Sequence, residues 1–177
     1  MRDYLTRNST TIKAVAVFGV VLIVSLWLLN NNWMLMHVLG PFTFFVAQVS
    51  ALTFQVLGQD ARAVGQSVTV NGTSLSIAQG CNGVEAMTLY FAAIFALPTR
   101  WRRRAIGLAI GIVGIFLVNQ IRVAGLFLVA MRWPDFLPLA HNYAGQTFVI
   151  VMGMALWIFW AENCAEFSVH KARAAAS

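Results

Sequence analysis

Gln79-Gly80-Cys81-Asn82-Gly83-Val84-Glu85 opens an apolar run that continues to Leu97 and stops at Pro98. Directly after it the chain turns basic, at Arg100-Trp101-Arg102-Arg103-Arg104. An apolar segment followed by clustered arginines is typical of a membrane helix whose basic end lies in the cytoplasm. The pattern therefore predicts a helix with a lone, glycine-flanked cysteine at its outer end and dense positive charge at its inner end.

The composition of the whole chain is that of a membrane protein. Of 177 residues, 59% are hydrophobic and only 10% are charged, whereas soluble domains carry roughly 25% charged residues. The chain is too short for two domains, so residues 1–177 are predicted to form a single integral membrane domain. The net charge of +6 lies mostly beside apolar runs, as membrane topology requires, which argues against nucleic acid as a partner.

The spacing of cysteine and histidine gives no sign of a metal site or a disulfide framework. Cys81 and Cys164 are far apart in the sequence, and no metal-type Cys/His pattern accompanies them. No metal and no cofactor is therefore predicted. Cys164, His37 and His170 are interpreted as residues without a chemical role.

Residues 14–29 are uncharged, apolar and of spanning length, and a basic N-terminal tail precedes them. A signal peptide also has a basic start and an apolar centre. The Asn30-Asn31-Asn32-Trp33 that follows is not a small-residue cleavage site, so the segment is predicted to be a retained anchor helix.

Residues 34–57 are harder to assign, because polar residues and Pro41 interrupt an apolar segment. The basic N-terminal tail and the Arg100–Arg104 cluster both favour the cytoplasm, so an even number of spans should separate them. The 14–29 helix and the helix after Cys81 already make two, which favours an interfacial or re-entrant placement of 34–57 on the outer face. The alternative, a third span with the N-terminal tail outside, stays open.

Residues 60–80 form the only extended polar stretch. Ser67–Val70 and Thr73–Ile77 alternate with period two around Asn71-Gly72, which is the strongest short-range signal for a β-hairpin. The predicted fold class is an all-α polytopic membrane protein with about four transmembrane helices and one interfacial or re-entrant helical segment. A small extracytoplasmic β-hairpin leads into the helices of residues 82–161, and both termini are expected in the cytoplasm.

Three chemically capable side chains are predicted to lie at one membrane level. A span takes about 20 residues, so Arg122 lies near the outer end of the apolar segment 105–131. Cys81 begins the preceding helix at the outer face, and His141 opens the following one, residues 143–160.

Two polar neighbours belong to the same predicted cluster. Asn119 lies one helical turn before Arg122 and is expected to hold the guanidinium by hydrogen bonding. Glu85 lies one turn after Cys81 on the same face. Two interpretations of Glu85 are equally favoured: it pairs with Arg122 and completes the cluster, or it is a satisfied structural charge.

A cysteine, a histidine and an arginine at one level fit acyl transfer. The thiolate attacks a peptide carbonyl to form a thioester, the histidine takes the thiol proton or protonates the leaving amine, and the arginine stabilises the oxyanion. A nearby arginine should also lower the pKa of Cys81. Each residue has a structural interpretation too: Cys81 as a small apolar filler, Arg122 as a snorkelling cation and His141 as an interfacial residue.

These motifs resemble the exosortase/archaeosortase family of membrane transpeptidases. That family has a Cys followed two residues later by Gly at a helix start, then Asn-x-x-Arg near the end of the next helix, then a His that opens the last. The matching residues are Cys81-Asn82-Gly83, Asn119-Gln120-Ile121-Arg122 and His141. The short length resembles compact bacterial members such as the exosortase H type. Glu85 departs from the pattern, because a neutral or basic residue is expected there.

The resemblance implies a thiol protease or transpeptidase of the bacterial inner membrane, with its active site on the extracytoplasmic side. Residues 82–161 would be the catalytic helices, with Cys81 as nucleophile, His141 as acid/base and Arg122 as oxyanion stabiliser. The candidates for positioning these groups are Asn119, Glu85, Asn82 and Gly83.

The implied substrates are exported, membrane-anchored proteins with a C-terminal sorting helix, which would be cleaved and passed to an acceptor nucleophile. The alternatives are a non-catalytic membrane subunit, which would use the polar cluster for docking, and a small transporter. A transporter should carry polar residues through the full membrane depth, whereas the inner halves of these helices are almost wholly apolar.

Overall fold

The computed structural model describes residues 9–77 and 81–164. Its helices are α1 (Ser9–Leu29), α2 (Asn32–Val56), α3 (Val84–Ala96), α4 (Trp101–Arg132) and α5 (Pro134–Asn163). Three strands lie between α2 and α3: β1 (Ala61–Val64), β2 (Ser67–Val70) and β3 (Thr73–Ser76). One π-helical turn interrupts α2 at Leu35–Leu39 and another interrupts α5 at Ala140–Ala144. Most of the predicted N-terminal and C-terminal tails, His170 included, lies outside the described residues.

Four helices in the described part of the chain are long and apolar enough to cross a bilayer, namely α1, α2, α4 and α5. The predicted all-α polytopic class with about four spans is therefore confirmed. The spans are distributed differently from the favoured topology, however. α2 has 25 residues, whereas α3 has 13, about 20 Å against a hydrocarbon core of about 30 Å. By length and composition, residues 34–57 fit the alternative in which this segment spans the membrane. The helix that is shorter than a full span is α3.

The outer surface of the helices is apolar. On α1, the side chains of Val20, Ile23 and Trp27 are each more than 60% exposed, and α1 packs mainly against α3. A continuous apolar surface of this kind is satisfied by lipid, while the helical hydrogen bonds satisfy the backbone.

Inside the bundle, α4 approaches α3 and α5 closely through glycines. A Cβ on Gly107 would lie 2.6 Å from Nε1 of Trp160, and a Cβ on Gly111 would overlap the ring of Tyr90. These glycines are therefore used for packing within the protein. α3 ends at Ala96, as predicted, because Leu97 precedes a proline and adopts an extended conformation.

The sheet is an antiparallel meander in the order β1-β2-β3. The predicted hairpin is β2–β3, in which Val70 pairs with Thr73. Asn71 and Gly72 between them both have positive φ, 49° and 84°, as a type I′ turn requires. Sequence analysis missed β1, which joins β2 through Gly65-Gln66 and turns the hairpin into a three-stranded sheet.

One face of the sheet covers the ends of two helices. Val68 and Val70 point inward and are fully buried in a cluster with Phe54 of α2 and Phe127 of α4. Cys81 belongs to the same buried cluster. The sheet therefore closes over the region where the cysteine lies.

Candidate active site

Cys81 and His141 are in contact. The Sγ atom of Cys81 lies 3.3 Å from Nδ1 and 3.4 Å from Nε2 of His141. Cys81 is only 4% exposed, and His141 is half-buried. His141 lies in the π-helical turn of α5, a local widening that is frequent at functional sites. The two residues expected at one membrane level thus meet at hydrogen-bonding distance.

Arg122 completes the contact from α4. Its side chain is 5% exposed, and its positive charge lowers the pKa of the Cys81 thiol. Room for this arginine comes from Gly145 on α5, where an added Cβ would lie 2.8 Å from Nε of Arg122. Sequence analysis did not single out Gly145, because its role depends on how α4 and α5 pack.

The electrostatic environment of Cys81 has two opposing parts. Burial raises the pKa of the thiol above its usual value, Arg122 lowers it, and the charge of Glu85 raises it. The expected lowering of the pKa by the arginine is present, but the desolvation of the buried thiolate is the larger effect, so the net direction is upward. A raised pKa favours the neutral thiol, which lies in contact with the imidazole of His141.

Asn119 holds the backbone of Cys81. Its side chain is fully buried, and Nδ2 donates to the carbonyl oxygen of Cys81 over 2.9 Å. This contact was not predicted, since sequence analysis assigned Asn119 to the guanidinium of Arg122. Gly83 makes the approach possible: it has a φ of +81°, and an added Cβ would lie 3.3 Å from Cβ and Cγ of Asn119.

Asn82 ties the same turn to α2. Its Oδ1 accepts from the backbone N–H of Val84 over 3.1 Å, and its Nδ2 donates to Oγ1 of Thr43 over 3.1 Å. Asn82 and Thr43 are both buried. Thr43 was missed, although a threonine within an apolar helix is the kind of signal that identifies such a contact.

A cavity of about 320 Å³ opens beside Cys81 and His141. Its walls come from β3, from α4 and from the first turns of α5, and Cys81 and His141 contribute the chemically active side chains. The remaining lining is mostly apolar and includes Leu75, Val123, Leu126, Phe127 and Leu137. An apolar cleft with few polar groups is typical of a substrate site.

The other candidates lie outside this cavity. Glu85 is exposed and lines a separate cavity of about 260 Å³, together with Arg122 and residues of α1. His37 stacks on Trp33 and bonds to its carbonyl oxygen, contacts that are local to α2. Among residues 9–77 and 81–164, no three His, Cys, Asp or Glu side chains converge as metal ligands would.

Comparison with known proteins gives one match. A family model described as transmembrane exosortase matches residues 7–160, which is most of the chain. The protein belongs to the transmembrane exosortase family. No curated protein and no solved structure matches it. The matched residues of this exosortase include Cys81, Arg122 and His141, so the family assignment and the observed cluster concern the same part of the chain.

Proposed function

We propose that this exosortase is a membrane-embedded cysteine transpeptidase. It cleaves the C-terminal sorting signals of exported proteins and transfers them to an acceptor. The observation that carries the proposal is the 3.3 Å contact between Sγ of Cys81 and the imidazole of His141, with the buried charge of Arg122 acting on the same thiol. Sequence resemblance supplies the roles, and the geometry is compatible with them.

The raised pKa of Cys81 and its contact with His141 support a first step in which His141 acts as the base. Because the thiol rests in its neutral form, an imidazole at hydrogen-bonding distance accepts its proton as the sulfur attacks the scissile carbonyl carbon. Arg122 then faces the negative oxygen of the tetrahedral intermediate and stabilises it. The protonated His141 donates to the leaving amine, the C–N bond breaks, and a thioester on Cys81 remains.

The thioester is resolved by an acceptor nucleophile. His141 takes the acceptor's proton as the acceptor attacks the thioester carbonyl, and the C–S bond breaks with return of the thiol proton from His141 to Cys81. Water in place of the acceptor would give hydrolysis. An apolar cleft that excludes water favours transfer over hydrolysis.

The proposal is tested by co-expressing a tagged protein bearing a C-terminal sorting helix. Cys81→Ala, Cys81→Ser, His141→Ala and Arg122→Ala should each lose cleavage, and loss of the nucleophile should cost at least about a thousandfold. Cys164→Ala is the matched control, because Cys164 lies at the other end of the bundle, where its carbonyl oxygen accepts from Arg103. Normal processing by Cys81→Ala would refute the enzymatic proposal and favour a docking subunit.

We also propose that the sheet and Cys81 face the extracytoplasmic side of a bacterial inner membrane. Cys81 is only 4% exposed, which disfavours reaction with a bulky membrane-impermeant reagent, so exposed positions are preferable. In a background without native cysteines, Arg62→Cys on β1 should react with a membrane-impermeant thiol reagent in intact cells. Glu162→Cys, at the far end of α5, should react only after permeabilisation. The reverse pattern would overturn the orientation.

A further inference from the structure

β3 is an edge strand that borders the catalytic cavity. It pairs with β2 on one side, and its residues Leu75 and Ser76 line the cavity together with Cys81 and His141. Cys81 follows only four residues after Ile77, the last cavity-lining residue of this segment. A strand edge exposes a row of backbone donors and acceptors that can pair with another extended chain.

The register identifies which backbone groups face outward. The N–H of Ile77 donates to the carbonyl of Gln66 over 2.8 Å, so these two residues form a hydrogen-bonded pair. In an antiparallel ladder such pairs alternate, which assigns Leu75 and Thr73 to bonds with β2. The N–H and C=O groups of Ser74 and Ser76 therefore point away from β2. Within the described part of the chain, no hydrogen bond to these backbone groups is found.

The side chains beside this edge suit an extended peptide. Leu75 points toward the apolar lining of the cavity, while Ser74 and Ser76 are small, polar and exposed. An added strand would alternate its side chains in the same way. One set would enter the apolar cavity, and the other would lie over the serines.

We propose that the edge of β3 binds the substrate polypeptide as an added antiparallel or parallel strand, which presents the scissile carbonyl to Cys81. The proposal rests on the proposed function. Its occupant is an extended segment of the substrate next to the scissile bond, because Ser76 of this edge and Cys81 line one cavity. Main-chain bonds would supply affinity, and the cavity would select the side chains.

Proline substitution removes one edge donor without touching the ladder. Ser76→Pro deletes an N–H that does not bond β2, and edge positions of this kind tolerate proline. Cleavage should fall about 3- to 10-fold, the effect of losing one backbone hydrogen bond. Ala63→Pro is the matched control. The N–H of Asn71 donates to the carbonyl of Asp60, and because hydrogen-bonded pairs alternate along the ladder, the N–H of Ala63 points away from β2. It therefore lies at the opposite edge of the sheet. This control should retain cleavage within about twofold, and thermal unfolding in detergent should confirm that both variants are folded.

Disulfide trapping measures the added strand directly. In a Cys81→Ala, Cys164→Ala background, Ser74→Cys should crosslink to a co-expressed substrate with single cysteines placed along the segment before its sorting helix. Directly opposed side chains on paired strands lie about 4.5–5.5 Å apart at Cβ, within disulfide reach. Crosslinking should therefore recur at every second substrate position.

The outcomes separate the two proposals. Full cleavage by Ser76→Pro, or crosslinking that does not alternate along the substrate, would refute strand addition. If Cys81→Ala is inactive at the same time, the transpeptidase proposal stands. Crosslinking only between two copies of the exosortase would also refute it and make the edge a contact between protomers. Cleavage by Cys81→Ala would refute the transpeptidase proposal itself.

Discussion

Gly83→Ala tests how the left-handed turn before α3 holds the nucleophile. A residue with a Cβ at the φ of +81° found there costs about 1–2 kcal/mol. The new Cβ would also lie 3.3 Å from Asn119, which must shift by a few tenths of an ångström. That side chain donates to the carbonyl of Cys81 over 2.9 Å, and losing such a bond costs about 1 kcal/mol. The expected total is about 2–3 kcal/mol of lost stability.

Gly58→Ala is the matched control. Gly58 has a φ of +76°, close to that of Gly83, but an added Cβ would meet nothing within 4 Å. This variant should therefore lose only the backbone contribution of about 1–2 kcal/mol and keep wild-type cleavage. Gly83→Ala should cleave on the order of 100-fold more slowly, since small displacements of reacting groups have effects of that size.

Two measurements decide the comparison. Thermal unfolding in detergent reports the difference in stability, and cleavage of a tagged substrate in membranes reports the position of the sulfur. If Gly83→Ala and Gly58→Ala were equally stable and equally active, the contact between Gly83 and Asn119 would have no part in placing Cys81. A loss of stability with normal cleavage would refute only the positioning step.

Further predictions concern the two charges and the second close-packed glycine. Alkylation of Cys81 by iodoacetamide should reach half its maximal rate at a pH above that of an ordinary cysteine, because burial raises the pKa of the thiol. Arg122→Gln should move this midpoint to higher pH, because it removes a positive charge that stabilises the thiolate. Glu85→Gln should move it to lower pH, because it removes a negative charge that destabilises the thiolate. Shifts of both variants in the same direction would contradict this account. Gly145→Ala should displace Arg122 and slow cleavage about tenfold or more. Gly153→Ala, which adds a methyl group in open space on the same helix, should leave cleavage unchanged. A fully active Gly145→Ala would show that the guanidinium accommodates the methyl group.

The proximity of Cys81, Arg122 and His141 could be predicted from the sequence because ionisable residues in apolar helices are rare. Counting helical rise from the arginine cluster brought Cys81, Arg122 and His141 to one level, and the observed contacts agree. The bond from Asn119 to Cys81 could not be obtained by counting. It depends on the left-handed turn at Gly83, which aims one particular carbonyl at α4, and spacing along a helix does not contain that information.

The sheet and the short helix show two further limits. Asn71-Gly72 predicted the β2–β3 hairpin because only a few residues adopt positive φ readily. β1 has the sequence Ala-Arg-Ala-Val, whose alternation is weak, so it becomes a strand through pairing with β2. The apolar segment after Cys81 was expected to be a full span. Helix α3 begins only after the turn at Gly83 and stops before Pro98, which leaves 13 residues.

The short length of α3 is compatible with Cys81, Arg122 and His141 lying at one level along the helices. Thirteen residues of α-helix rise about 20 Å, whereas Arg122 lies about 30 Å along α4 from its start at Trp101. The non-helical residues Leu97 to Arg100 join the two helices and can span the difference of about 10 Å. Cys81 is then about as far from the arginine cluster as Arg122 is, a distance close to the thickness of the hydrocarbon core. A cleft at this distance from the basic cluster is compatible with the proposed placement of the active site at the extracytoplasmic face of the membrane.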